Sequence, residues 1–306
     1  MSLLRVDDLR VRFTTRRGPV QAVDGVGFTL ERGEILGLVG ESGSGKSQIL
    51  FALMGLLPEN ATLDGTIEFT GSGPTMVFQD PMTALNPYLT IGLQIAEALP
   101  KGLDPATRRA RIVELLTRLR IADPGARIDQ YPHQLSGGMR QRIVIAMALA
   151  AAPDLILADE PTTALDVTVQ ADILDLFRAE RRDHGRALLL VSHDLGVVAG
   201  LCDRVLVMYA GRIVEEAAVD DLFARPGHPY TRALLATVSS LAAGDSELAT
   251  IPGAPPDLGL PIAGCAFAPR CAVRIERCIE ARPAFRALGP GHRAACHLTK
   301  TPGTES

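Results

Sequence analysis

Apolar residues along this chain fall into short unbroken runs that alternate with stretches of helical spacing. Ile35-Leu36-Gly37-Leu38-Val39 is one such run, preceded by Gly33-Glu34, and it predicts a short buried strand. A glycine-rich stretch follows. Lys46 to Leu57 then places Ile49, Leu50, Leu53 and Leu56 on one helical face, with Pro58 as the expected stop. Further buried strands are predicted at Leu155 to Ala158, Ala187 to Val191 and Val205 to Tyr209. Gly211 supplies a turn into Arg212-Ile213-Val214, and Val169 to Glu180 has helical periodicity. This order of elements predicts an α/β fold.

Between about Pro81 and Ala152 the pattern changes. Ile91 to Leu99, Thr107 to Arg120 and Gln141 to Ala151 all have helical spacing, which predicts a helical insertion in the α/β body. After about Ser240 the chain becomes rich in Pro, Gly and Cys. The expected organisation is a main domain over 1–241, with its helical part at about 81–152. A small Cys-rich carboxy-terminal domain is expected over 242–306, and Thr299 to Ser306 reads as a disordered tail.

Composition narrows the class only modestly. The 306 residues are 47% hydrophobic and 22% charged, ordinary for a packed protein, and the formal net charge of -4 argues against nucleic acid as the main partner. Met1 to Asp8 has no apolar core of signal-peptide length, and the apolar stretch Ile143 to Ala152 is far shorter than the ~20 residues a membrane helix needs. The expectation is a soluble chain, with any membrane association supplied by partner subunits. Of five cysteines, Cys202 stands alone, and Cys265, Cys271, Cys278 and Cys296 crowd near the carboxy terminus. In a reducing compartment such a cluster points to metal before disulfides.

The first chemical motif is Gly40-Glu41-Ser42-Gly43-Ser44-Gly45-Lys46-Ser47, which fits G-x-x-x-x-G-K-[ST] between a predicted strand and helix. Its glycines let backbone N–H groups converge on phosphate oxygens, and the helix N-terminus adds favourable dipole charge. Lys46 would reach the β- and γ-phosphates and Ser47 would ligate Mg²⁺. The second motif is Asp159-Glu160 at the carboxyl end of an apolar strand. Asp159 would hold Mg²⁺ through its water shell, and Glu160 would polarise the attacking water. These two motifs specify a P-loop NTPase, a class that also includes kinases, helicases and GTPases.

Leu135-Ser136-Gly137-Gly138-Met139-Arg140-Gln141-Arg142 closely resembles the signature of ABC ATPases, although many of those have Gln where Met139 stands. Gln79 after Met76-Val77-Phe78 resembles the Q-loop, Ala164-Leu165-Asp166 the D-loop, and His193 the H-loop, all in family order. The resemblance implies an ABC-type nucleotide-binding domain: a RecA-like core with a β-rich amino-terminal part and a helical insertion. It implies an ATPase in which two such domains pair head to tail. Gly40, Ser42, Gly43, Ser44, Gly45, Lys46, Ser47 and Gln48 would cradle ATP. Ser136, Gly137, Gly138 and Asp166 would complete the site from the mate. Phe13 matches the adenine-stacking aromatic, which on a strand is as often a packed core residue. Gln79 would sense Mg²⁺ and the attacking water, and His193 would bond the γ-phosphate, which makes Glu160, His193 and Gln79 the catalytic set.

Phe78 to Pro87, Tyr131 to Leu135 and Pro226 to Leu234 resemble the dipeptide and oligopeptide permease ATPases. That implies an importer ATPase working with two membrane permease subunits, a second ATPase subunit (a heterodimer before a homodimer) and an extracytoplasmic solute-binding protein. Such a subunit sits peripherally on the cytoplasmic face of the inner membrane. Uptake of nickel, metal chelates or glutathione, or a soluble non-transport role, are the alternatives. The tail cysteines have the spacing C-x5-C-x6-C-x17-C, and the residues around them, Gly264-Cys265 through Pro269-Arg270-Cys271 and later Cys296-His297, also resemble that branch, some of whose members carry a [4Fe–4S] cluster on four thiolates. A four-thiolate zinc site and metal-free thiols are the other readings.

Overall fold

In the computed structural model the described residues are 2–163, 165–243 and 250–299, with side chains described except at 238–243. The strands, in chain order, are β1 (Ser2–Thr15), β2 (Gly18–Glu31), β3 (Ile35–Val39), β4 (Ala61–Phe69), β5 (Thr75–Val77), β6 (Leu155–Asp159), β7 (Ala187–Val191), β8 (Arg204–Tyr209), β9 (Arg212–Ala218), β10 (Arg286–Gly289) and β11 (His292–Ala294). The chain divides into two compact units. The first comprises residues 1–31, 35–69 and 191–306, and the second 32–34 and 70–190.

The first unit holds two sheets. β2, β1 and β4 form an antiparallel sheet in that order, with Leu4, Val6, Leu9 and Val11 of β1 buried. The other sheet pairs β3 with β8 in parallel, and then β9, β11 and β10 antiparallel. All five β3 residues and five of the six in β8 are buried, as their unbroken apolar runs require for strands covered on both faces. Ala210 (φ 47°) and Gly211 (φ 81°) make the two-residue turn between β8 and β9, where the sequence places it.

Helix Lys46–Met54 stops earlier than its apolar spacing suggests. Gly55 adopts φ 67° and its N–H bonds the Ala52 carbonyl, while Leu56 N–H bonds that of Phe51. This left-handed cap ends the helix before Pro58 can act.

The second unit pairs β5 with β6 in parallel and sets β7 beside β6. Its helices include Ile91–Ala98, Pro105–Arg118, Gly137–Ala150 and Val167–His184. Asp104 caps one of them by accepting from Ala106 and Thr107 N–H, both at 3.0 Å. No helix among the described residues is long and apolar enough to cross a membrane.

The Cys-rich stretch, expected as a small separate domain, falls within the first unit. It clusters with the first unit because β11 extends that unit's sheet. Arg293 pairs with Glu216 and Ala294 with Glu215. Glu215, wholly buried, accepts from Gly227 N–H (2.6 Å), His228 N–H (2.8 Å) and His292 Nε2 (2.8 Å). A buried carboxylate is tolerable only when so satisfied, and these bonds tie β9 to the segments on either side. Most of the expected tail, residues 300–306, lies outside the described residues, as do 244–249 beside the expected domain boundary.

Candidate functional site

The phosphate-loop half lies in the first unit. Gly40 takes φ 153° and Gly45 takes φ 103°. A Cβ at Gly40 would collide with the Met208 carbonyl, and one at Gly45 with the Ala22 carbonyl. Glycine is therefore required at both positions by space and by backbone conformation. Lys46 is buried, and its Nζ donates to the carbonyls of Gly40 (2.8 Å) and Glu41 (2.9 Å) and lies 3.5 Å from Ser44 Oγ. The loop is thus curled over its own lysine. Ser42 and Gly43 are exposed at its tip, and Ser47 and Gln48 are half-buried on the first helical turn. The N-cap, Gly45, has no side chain to cap that turn, which leaves a helix N-terminus facing the loop.

Phe13 is half-buried on β1, opposite Val20 of β2 and Ala61 of β4. It is not a closed core residue. His193 is exposed just beyond β7. Its neighbour Asp194 caps helix Leu195–Leu201, accepting from Gly196 N–H (2.8 Å) and Val197 N–H (3.3 Å).

The carboxylate half lies in the second unit. Asp159 ends β6 and is 6% exposed. Glu160 follows with φ 46°, a left-handed conformation that a non-glycine residue adopts only when its surroundings impose it. Its Oε2 accepts from Gln79 Nε2 and from Thr163 Oγ1, both at 3.0 Å. Gln79 and Glu160, far apart in sequence, are thus brought together, and Thr163 is a neighbour that the motifs did not flag.

Ser136 is the N-cap of helix Gly137–Ala150, its Oγ accepting from Met139 N–H at 3.4 Å. Asp166 caps helix Val167–His184 in the same way, accepting from Val169 N–H at 2.9 Å. A Cβ on Gly138 would meet Val169 at 3.1 Å, so the two helix starts lie side by side and glycine permits the approach. Two positive helix ends therefore share one edge of this unit. Ala164, expected in the D-loop, lies outside the described residues.

The four carboxy-terminal cysteines are free thiols, and all four line one small cavity with His228, Phe267 and His297. Burial pushes the Cys265 and Cys271 thiols up. Yet among the described residues no group of three His, Cys, Asp or Glu side chains is arranged to hold a metal ion. The structure therefore shows the four thiols converging on one cavity without arranging them as a metal site, and the iron–sulfur cluster that the family resemblance implies is not shown. Cys202 is separate: burial first and Asp203 second push its thiol up to about 12, which leaves it an inert core group.

The ABC transporter family description matches residues 23–163, and that of the oligopeptide/dipeptide transporter C-terminal region matches 214–278. The chain is 48% identical over 312 residues to the oligopeptide transport ATP-binding protein OppD of Salmonella typhimurium, covering 96% of this chain and 93% of that one. The chain belongs to the ABC transporter ATP-binding family. It is also 48% identical over 316 residues to the dipeptide transport ATP-binding protein DppD of Bacillus subtilis, covering 97% and 94% of the two chains. Among solved structures, this ABC ATPase resembles the cassette MJ0796 in a dimeric post-hydrolysis state bound to ADP and Pi. The TM-score is 0.63 at 26% identity, over 71% of this chain and 98% of that one. It also resembles cbiO1 of Clostridium perfringens, part of the cbiONQ complex, with a TM-score of 0.62 at 27% identity over 73% and 91%.

Proposed function

We propose that this chain is the ATP-hydrolysing subunit of an importer of dipeptides and oligopeptides. The observation that carries the peptide reading is the match of residues 214–278 to the oligopeptide/dipeptide transporter C-terminal region, on a chain related to OppD and DppD over nearly its full length. The ATPase reading is supported by a phosphate loop that only glycine can form, with its lysine already seated, and by a glutamate held by the Q-loop glutamine.

In this reading Gly40, Ser42, Gly43, Ser44, Gly45, Lys46, Ser47 and Gln48 cradle the triphosphate. Glu160 accepts the proton of the attacking water, which Gln79 helps to orient. His193 bonds the γ-phosphate, and Phe13 stacks on adenine. Ser136, Gly137, Gly138 and Asp166 meet the nucleotide of a second ATPase subunit, so that ATP favours the closed pair and hydrolysis reopens it. The Ser47 hydroxyl, the Asp159 carboxylate and the Gln79 amide are hard oxygen donors of the kind that suits Mg²⁺, which would supply charge neutralisation at the phosphates.

The partners of this reading are two membrane permease subunits, a second, different ATPase subunit and an extracytoplasmic binding protein. The chain then sits peripherally at the cytoplasmic membrane face. The four thiols are also the proposed ligand set of a [4Fe–4S] cluster, because all four line one cavity and thiolates are the usual ligands. We assign that group no step in transport. The test is reconstitution of the chain with its permease subunits, second ATPase subunit and binding protein in vesicles. ATP-dependent accumulation of a labelled tripeptide is expected, and accumulation of nickel or glutathione instead would overturn the peptide assignment.

A further inference from the structure

The phosphate loop is gripped by a part of the chain that its motif does not include. Arg270 lies in the short turn Ala268–Arg270, next to Cys271, and forks onto Glu41 of the loop. Its Nη1 donates to Oε2 at 2.7 Å and its Nη2 to Oε1 at 3.0 Å. Nη1 also donates to the Tyr209 hydroxyl (3.2 Å), Nη2 to the Ile251 carbonyl (3.1 Å) and Nε to the Pro252 carbonyl (2.9 Å). All five donors of the guanidinium are therefore engaged, and the side chain is only 5% exposed. A lysine could not reproduce this set, because it has three donors and no planar fork.

Glu41 is in turn held at three points. Arg270 holds its carboxylate. Its N–H donates to the buried Tyr230 hydroxyl at 2.9 Å, and its carbonyl accepts from Lys46 Nζ at 2.9 Å. Tyr230 and Tyr209 pack at 4.6 Å between ring centroids, and Phe267 lies 5.3 and 5.4 Å from Tyr209 and Tyr230. Phe267 and Cys271 also line the thiol cavity. One packed set of rings and one ion pair thus join the cysteine segment to the nucleotide loop.

The physical need for such a support is clear. A loop with Gly40, Gly43 and Gly45 has little conformational restraint of its own. When a triphosphate draws Lys46 away from the Gly40 and Glu41 carbonyls, the loop loses its internal tie. Ordering it at that moment would subtract from affinity. A guanidinium fixed by five bonds can hold Glu41 in place throughout.

We propose that Arg270 is a positioning residue for the phosphate loop, pre-ordering Glu41 so that Lys46 and the loop N–H groups face the triphosphate. This rests on the ATPase reading above. All five Arg270 donors are taken by Glu41, Tyr209, Ile251 and Pro252, so its loss weakens nucleotide binding and leaves the chemical step in place.

The test compares the full-length wild type with Arg270→Met, Arg270→Lys, Glu41→Gln and Tyr230→Phe. MgATP affinity is measured by calorimetry, and KM and kcat in the assembled transporter. Arg270→Met is expected to weaken MgATP binding by about tenfold, the size expected for a lost charge-assisted fork. KM should rise in step while kcat stays within about twofold. Arg270→Lys should recover part of the loss. The double variant Arg270→Met with Glu41→Gln should be no worse than Arg270→Met alone, because both remove the same contact.

MgATP affinity within twofold of wild type in Arg270→Met overturns the proposal. So do additive losses in the double variant, or a fall in kcat with KM unchanged. If Arg270→Met does not fold, Glu41→Gln and Tyr230→Phe carry the test, and wild-type affinity in both overturns it. A wild-type chain that binds no MgATP overturns the ATPase reading itself, which is a different failure.

Discussion

The Gln79 side-chain amide donates to the Glu160 carboxylate, Nε2 to Oε2, at 3.0 Å. The glutamine thus rests on the residue proposed to activate water. Thr163 Oγ1 donates to the same oxygen, and the backbone of Glu160 is held at φ 46°. Two donors thus fix one oxygen of the carboxylate, the kind of orientation a general base needs.

Glu160→Gln preserves the shape of this arrangement and removes the basic oxygen. MgATP binding is expected to stay near wild type, while turnover falls by about 10² or more. Calorimetry and phosphate release measure the two effects separately. Near-normal hydrolysis would remove Glu160 from the base role.

The phosphate loop responds to different changes. Lys46→Ala deletes the buried ammonium that ties Gly40 to Glu41 and would reach the phosphates, so most nucleotide affinity should be lost. Gly45→Ala should be similarly damaging for another reason. Its Cβ would collide with the Ala22 carbonyl at a φ of 103° that alanine rarely adopts. A fluorescent ATP analogue titrated against each variant would read both, and unchanged affinity in Lys46→Ala would contradict the cradle.

Much of this architecture was legible in the sequence because local pattern and final environment agree. The runs at Ile35–Val39 and Ala187–Val191 are unbroken, and all ten residues are buried. The nucleotide motifs were legible for the same reason, since each is set by a strand end, a glycine turn or a helix cap. Glu41 was readable only as a free position in the motif, because its partner is 229 residues away. Nothing local distinguishes Arg270 from other arginines. The β10–β11 hairpin was missed because Arg286 to Ala294 has no alternation of apolar and polar positions. Its stability comes from pairing with β9 and from the buried Glu215–His292 contact. Without that long-range contact the cysteine stretch reads as an independent domain.

That contact makes a stability prediction. Glu215→Ala removes one carboxylate and strands three buried donors: the N–H groups of Gly227 and His228, and the His292 ring. A buried donor left without its acceptor costs roughly 1–3 kcal/mol. Urea unfolding of the full chain should show a lower midpoint by that measure, and a change under 1 kcal/mol would mean that water replaces the carboxylate.

The cysteines supply the last prediction. Cys265, Cys271, Cys278 and Cys296 share one cavity, whereas Cys202 lies apart under Gly37, 3.1 Å from where a Cβ on that glycine would sit. On the proposed cluster reading, protein purified without oxygen carries about four irons per chain and a brown absorbance, because four thiolates suit a [4Fe–4S] cluster. Replacing any one of the four with serine should remove the iron, and Cys202→Ser should leave it untouched. Chelating the metal should free four thiols for alkylation in the folded chain. Cys202, with its thiol pushed up to about 12 by burial, should react only after unfolding. Purified protein with neither iron nor zinc would assign the cavity to free thiols. The link from Arg270 to Glu41 would still stand in that case, because its bonds involve no sulfur.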